Sequence, residues 1–284
     1  MSKQLSSLCG PINIMELAVT INSLKEAFGE MNNHAHCLVG SSADLGKKSF
    51  MGDVDIAIDA NRTEFTAALK ETFGDDRVSS SGVVSLVFPI AEYRGDCGRA
   101  DRKPNVQIDF IFGDPAILYL TYYSPDKHGK LKQSPLGGGH RNAIISSYFS
   151  LFPLHEYESD EPAKLIQTRF KWSMTGGMQL IVREFQWNVN KEKFIRCTQD
   201  VVLYQFEADI TIISKAVFGV DGVESVFDSA EDFLTNIAKY KGESVASKLI
   251  NSLGNNTSDD KWTEDQIEYL REFFNGVKIS QPVN

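Results

Sequence analysis

A chain of 284 residues and 31.7 kDa with 42% hydrophobic residues is large enough to bury one sizeable core or two modest ones. A net charge of -9 and a pI near 5.1 exclude a protein that coats nucleic acid through its whole surface, and leave room only for a local basic groove. The four cysteines, Cys9, Cys37, Cys97 and Cys197, form no CxxC pair and read as reduced thiols; with no leader-like pattern and no apolar run of membrane-spanning length, the reading is a cytoplasmic protein with no membrane partner.

Residues 13 to 31 place Ile14, Leu17, Ala18, Ile21, Leu24, Phe28 and Met31 at three- and four-residue spacings, which predicts a helix with one apolar stripe. The short apolar run His36-Cys37-Leu38-Val39 predicts a strand that stops at Gly40-Ser41-Ser42, small residues that let a backbone approach a ligand. In the next strand, residues 53 to 59, Val54, Ile56 and Ile58 fall on one face and Asp53, Asp55 and Asp59 on the other. Asn61 or Thr63 caps a helix that ends at Gly74, and residues 78 to 90 follow as a strand or hairpin. The polar segment 94 to 104 reads as an exposed loop leading into the strand 106 to 112, which Gly113-Asp114-Pro115 ends. Residues 115 to 123 and 140 to 152 read as helices.

From about residue 155 the character changes, with an acidic stretch over 156 to 161, then a hairpin over 168 to 187 turned at Thr175-Gly176-Gly177. Asp228-Ser229-Ala230-Glu231 matches a capping box, and a last amphipathic helix begins near Thr263. The expected architecture is α+β, with a catalytic domain over 1–154 built on a mixed sheet flanked by helices, and a mainly helical domain with a β-hairpin over 155–284.

The chemistry lies on the polar face of the strand after the Gly-Ser turn. Two aspartates at i and i+2 on a strand point the same way, roughly 7 Å apart, and hard divalent cations want such carboxylate oxygens. Asp53 and Asp55 therefore form a candidate chelating pair. Asp109, set among apolar residues on a later strand, would be costly to bury alone, so a metal or cation beside it is expected; it would complete the metal shell or accept a proton. The Gly40-Ser41-Ser42 turn offers N–H groups and hydroxyls to phosphate oxygens.

Together the segments Val39-Gly40-Ser41, Asp53-Val54-Asp55 and Ile108-Asp109-Phe110, with eleven residues between Ser41 and Asp53, resemble the DNA polymerase beta-like nucleotidyltransferase superfamily in residue type and order. The resemblance covers roughly residues 13 to 115. It implies a mixed-sheet nucleotidyltransferase-type fold, Mg2+ or Mn2+ as cofactor, and an NTP such as ATP as donor of a nucleoside monophosphate. The acceptor stays open between an RNA or tRNA 3′ end, a small molecule and a protein side chain.

Weaker candidates surround this core. Arg94, Arg99, Arg102 and Lys103 form a basic loop ahead of Asp109 that suits triphosphate or RNA backbone. Gly137-Gly138-Gly139 leads into His140-Arg141-Asn142, where a helix N-terminus with Arg141 as a bidentate donor suits a nucleotide. Lys47 and Lys48 lie in the spacer, more simply as a solvated turn, and Asp44 and Asp59 read as solvent-exposed. Tyr119, Tyr122 and Tyr123 read as helix packing. A catalytically silent nucleotide-binding regulatory module is the main alternative in another class. A metal-dependent phosphohydrolase is disfavoured because the five histidines form no ligand pattern beyond His34-Ala35-His36.

Overall fold

In the computed structural model the chain divides into two compact units, Met1–Tyr123 and Ser124–Asn284. The structure describes residues 7–43, 49–80, 82–95, 97–122, 136, 138–159, 163–220, 229–255 and 262–276. The architecture is α+β, and among the described residues no helix is long and apolar enough to cross a membrane.

The first unit begins with β1 (Ile12–Asn13), which pairs with β3 (Phe50–Met51), and α1 (Ile14–Ala27). Asn13 and Glu16 cap α1 reciprocally: the Asn13 side chain accepts from Met15 N at 2.9 Å, and Glu16 accepts from Asn13 N at 3.1 Å. The main sheet follows in the order β2 (His36–Val39), β4 (Val54–Ile58), β7 (Asn105–Phe112), β6 (Val84–Pro89), β5 (Val78–Ser79). Of its pairings, β4 with β7 is parallel and the others are antiparallel. Helix α2 (Arg62–Phe73) is capped by Asn61 and stopped by Gly74, as its sequence indicates.

Alternation along the strands decides the layering. Val54, Ile56 and Ile58 of β4 and Val106, Ile108 and Phe110 of β7 point to one face, where α1 and α2 close the main core. Phe65 of α2 sits within it, edge-on to Phe28 and Phe110 with both ring centroids at 5.1 Å. The opposite face carries a smaller cluster of Val39, Ala57 and Leu118, the last from α3 (Pro115–Tyr122). Asp55 and Asp109 share that second face.

The polar segment ahead of β7 is less exposed than its composition suggests. Arg102 is buried: it pairs with Glu16, donates to Gly95 O at 2.8 Å and lies over the rings of Tyr93 and Phe50. A single guanidinium thus ties the loop to α1, and Arg102 is structural rather than free to meet a ligand.

The second unit holds α4 (Gly138–Leu151) and a five-stranded antiparallel sheet of β8 (His155–Ser159), β9 (Lys164–Ser173), β10 (Gly177–Asn188), β11 (Lys193–Arg196) and β12 (Val201–Gln205). Strand β10 is flanked by β9 along one edge, while β11 and β12 lie end to end along the other. Helices α5 (Ile210–Phe218), α6 (Ala230–Lys241), α7 (Glu243–Asn255) and α8 (Glu264–Gly276) complete it. The hairpin expected over 168 to 187 is the β9–β10 pair, and the rest of the sheet is additional. A domain boundary at 154/155 falls inside this unit, because α4 packs on β9: Trp172 Nε1 donates to Asn142 at 3.0 Å, and Phe149 meets Phe170 with ring centroids at 5.5 Å. Ser229 caps α6 by accepting from Asp232 N, one position later than the expected box, whose Asp228 lies outside the described residues. Thr263 with Gln266 caps α8 reciprocally.

Candidate metal centre

Parallel pairing of β4 with β7 sets Asp55 directly beside Asp109, so both side chains leave the same face. Asp53 lies two residues before Asp55, just ahead of β4. The carboxylate oxygens of Asp53, Asp55 and Asp109 come within 4.8 Å of one another. On the other side of β4, Val39 stands opposite Asp55, so the chain enters the Gly40 turn at the level of the carboxylates.

Gly40 suits this position on two counts. Its φ of +59° is a left-handed conformation, and a Cβ at this position would lie 2.6 Å from Asp55 Oδ2. A left-handed residue opens the short turn Gly40–Ser42, whose backbone N–H groups are donors of the kind that suit anionic oxygens.

Ser42 plays a different part from the one its position suggests. Its side chain is fully buried, its hydroxyl accepts from Asp55 N at 3.0 Å, and it donates to Asp53 O at 3.4 Å. The hydroxyl is thereby committed to fastening the turn to the carboxylate strand rather than to a phosphate. The side chain of Ser41 and the residues Asp44, Lys47, Lys48, Tyr123 and Gly137 lie outside the described residues.

The electrostatic load falls mainly on Asp55. Burial, then the charges of Asp53 and Asp109, push its carboxyl from 3.8 up to about 7. Asp53 is raised by burial and by Asp109. Among the described residues none of the three carboxylates makes an ion pair. Asp109, which the apolar run around it marks as a buried charge, is half-buried, because its neighbours Ile108 and Phe110 turn to the opposite face. The amide of Gln107 holds both its oxygens, at 2.8 and 2.9 Å. Tyr122, at the end of α3, is close enough to Asp55 for that charge to add to the effect of burial in raising its phenol.

The donor set fits a hard divalent cation. Oxygens around an octahedral ion with bonds of about 2.1 Å lie about 3 to 4 Å apart, so small side-chain rotations would bring all three carboxylates onto one ion. A cation is also the group called for by crowded carboxylates that have no basic partner among the described residues.

The chain matches no family model and no curated protein. The likeness to nucleotidyltransferases therefore rests on the three sequence segments.

The structure brings Gly40, Ser42, Asp53, Asp55 and Asp109 together. Arg141 belongs to the second unit, where it is buried at 1% exposure in the first turn of α4 and has interactions of its own. Of the loop cations, Arg99 is held bidentately by Asp101 at 2.9 and 2.6 Å, Arg94 lies 4.0 Å from Glu92, and Lys103 donates to Ser7 O. Asp59 is exposed, as its position at the strand end suggests. Sequence reasoning misses Gln107 and Tyr122 at this site. For Gln107 the signal is present, since i and i+2 on a strand share a face.

Proposed function

We propose that the first unit is the catalytic unit of a metal-dependent nucleotidyltransferase, with a nucleotidyltransferase-type arrangement of the mixed sheet. The reading is carried by the register of Asp55 with Asp109 on adjacent parallel strands, beside Asp53 and against the backbone of Gly40. Asp53 and Asp55 hold Mg2+ or Mn2+, and Asp109 completes the shell or takes the proton of the acceptor hydroxyl. When bound, such ions supply charge neutralisation at the triphosphate and activation of the attacking oxygen. The backbone N–H groups of the Gly40 turn face the phosphates of the NTP, and Ser42 keeps that turn in register with the carboxylates.

In the reaction the acceptor oxygen forms a bond to the α-phosphorus. The bond from that phosphorus to the bridging oxygen breaks, and pyrophosphate leaves with the electron pair. Three carboxylates crowded with no cationic partner among the described residues support this reading, since such a cluster is destabilising unless an ion meets it. The fold, the donor and the metal are parts of one proposal, and the acceptor is RNA, a small molecule or a protein.

The test is incorporation of α-labelled ATP, CTP, GTP and UTP, each with Mg2+ or Mn2+, into total RNA, cell protein or a small-molecule extract. Label enters one fraction with the wild type, and Asp53→Asn and Asp109→Asn each lower it by roughly a hundredfold or more. Unchanged labelling in both variants refutes the assignment.

A further inference from the structure

A second concentration of charge lies on the sheet of the second unit. Antiparallel partners share a face, and the register sets Gln167 opposite Arg183, Arg169 opposite Ile181, Lys171 opposite Gln179, and Arg196 opposite Phe185. One sheet face thus gathers Arg169, Lys171, Arg183 and Arg196, together with the carboxylates of Glu156 and Glu158 from β8.

Asp200, in the gap between β11 and β12, satisfies three of these four cations. It is 2.7 Å from Arg183 Nε, 3.0 Å from Arg196 and 3.3 Å from Lys171. Arg169 is left over. It is 5% exposed, its Nε has no hydrogen-bond partner, and among the described residues it makes no ion pair. Burial and the like charge of Arg183 weaken its hold on its proton, and the more distant charges of Asp200 and Glu156 offset only part of this. Beside it on the same strand face, Gln167 gives an amide hydrogen to Glu156 while its Oε1 lacks a donor. A buried guanidinium without a paired counter-charge is destabilising, and so is an unpaired amide oxygen. An anion at Arg169 that also carries a hydroxyl for Gln167 answers both.

We propose that this sheet face binds single-stranded RNA. A backbone phosphate takes the Arg169 guanidinium under the field of Lys171, Arg183 and Arg196, and a ribose hydroxyl donates to Gln167 Oε1. Trp187 supplies the apolar part of the surface. It is 41% exposed, stands on the same face beyond Phe185, and is braced edge-on by Phe194 with ring centroids at 5.2 Å, which leaves ring surface for a base to stack on. Four cations against Asp200, Glu156 and Glu158 leave this face net positive on an otherwise acidic chain, which suits a polyanion. The binding claim stands apart from catalysis. Only the corollary that RNA is the acceptor rests on the nucleotidyltransferase reading.

The experiment measures fluorescence anisotropy of a labelled single-stranded RNA of about 12 nucleotides with the full chain in EDTA, against DNA of the same sequence and against orthophosphate and AMP as competitors. The wild type binds RNA more tightly than DNA, with an affinity that falls as salt rises. Arg169→Met weakens binding by roughly tenfold or more while raising the thermal midpoint, because it removes an unpaired buried charge and keeps an apolar stem. Arg196→Gln, at a more exposed position, weakens binding with no loss of fold, and Asp53→Asn leaves it unchanged. Equal binding of DNA, displacement of RNA by orthophosphate as readily as by AMP, unchanged binding in Arg169→Met, or no binding by the wild type each overturns the proposal. RNA bound through these arginines with no label transferred to it overturns only its assignment as acceptor.

Discussion

Replacing Asp55 by Asn should stabilise the metal-free protein while abolishing its response to metal. The carboxyl of Asp55 is raised from 3.8 to about 7 in the fold, so between those values the native state holds a proton that the unfolded chain releases. Native protons exceed unfolded protons across that window, and stability therefore falls as pH rises through it. At about 1.4 kcal/mol per pH unit the difference corresponds to a ceiling of about 4 kcal/mol at pH 8, and partial access to water brings the working figure nearer to about 2 kcal/mol. Asn keeps the shape beside Gly40 and removes the charge. In EDTA at pH 8 the thermal midpoint of Asp55→Asn should lie roughly 5 to 10 °C above wild type, and near pH 4 the two should converge. Added Mn2+ should raise the wild type at pH 8, through binding to the native state alone, and leave the variant where it was. Circular dichroism melts at both pH values, with and without metal, measure this, the relevant transition being the one that metal moves in the wild type. A variant less stable than wild type at pH 8 in EDTA would show that Asp55 is held by a partner rather than crowded by Asp53 and Asp109, and the reasoning would fail.

Gly40→Ala adds a Cβ at 2.6 Å from Asp55 Oδ2 in a left-handed conformation, which costs about 1 to 2 kcal/mol in backbone strain and displaces a proposed ligand. Mn2+ affinity by calorimetry should drop by roughly tenfold or more, and an unchanged affinity would show the close approach to be functionally idle. In the second unit, Arg183 first, with Lys171 and Arg196, holds the Asp200 carboxyl down to about 2. Its contribution is present above 3.8 and lost as pH falls toward 2, so acid titration should show a loss of structure in that window that Asp200→Asn removes, together with a lower thermal midpoint at pH 7. Equal acid sensitivity of the two proteins would count against it.

The features legible in the chain are the local ones. Asn61 with Gly74 and the start near Thr263 act across a few residues whose order is visible directly, while the helix expected over 13 to 31 stops at Ala27, where Phe28 caps it and a 3-10 turn over Gly29–Asn33 follows. Strand alternation likewise places Val54, Ile56 and Ile58 in the core and Asp55 on the other face. What is not legible depends on register between distant segments. Glu16 meets Arg102 across 86 residues, which turns an apparently free loop cation into a buried tie. The apolar run around Asp109 points to the right residue for an incomplete reason: its neighbours are buried on the far face, and the strain of the cluster sits on Asp55, flanked by both other carboxylates. Nor does spacing show that Ser42 closes back on the Asp53–Asp55 backbone, or that two short strands share one edge of β10.

The two units depart from local consistency in opposite senses. The first crowds three carboxylates with no cationic partner among the described residues, and the second leaves Arg169 buried beside cations that Asp200 already satisfies. Neither arrangement helps the fold that carries it, since each sets an uncompensated charge where solvation is poor. A divalent cation would relieve the first and a phosphate the second. Because the two defects lie in separate units and call for ligands of opposite sign, they can be tested independently: Mn2+ should protect the first without Arg169, and RNA should bind the second without Asp53. Independence of the two responses is the outcome this division of charge requires, and loss of both in either single variant would mean that a shared unfolding event, rather than two sites, lies behind them.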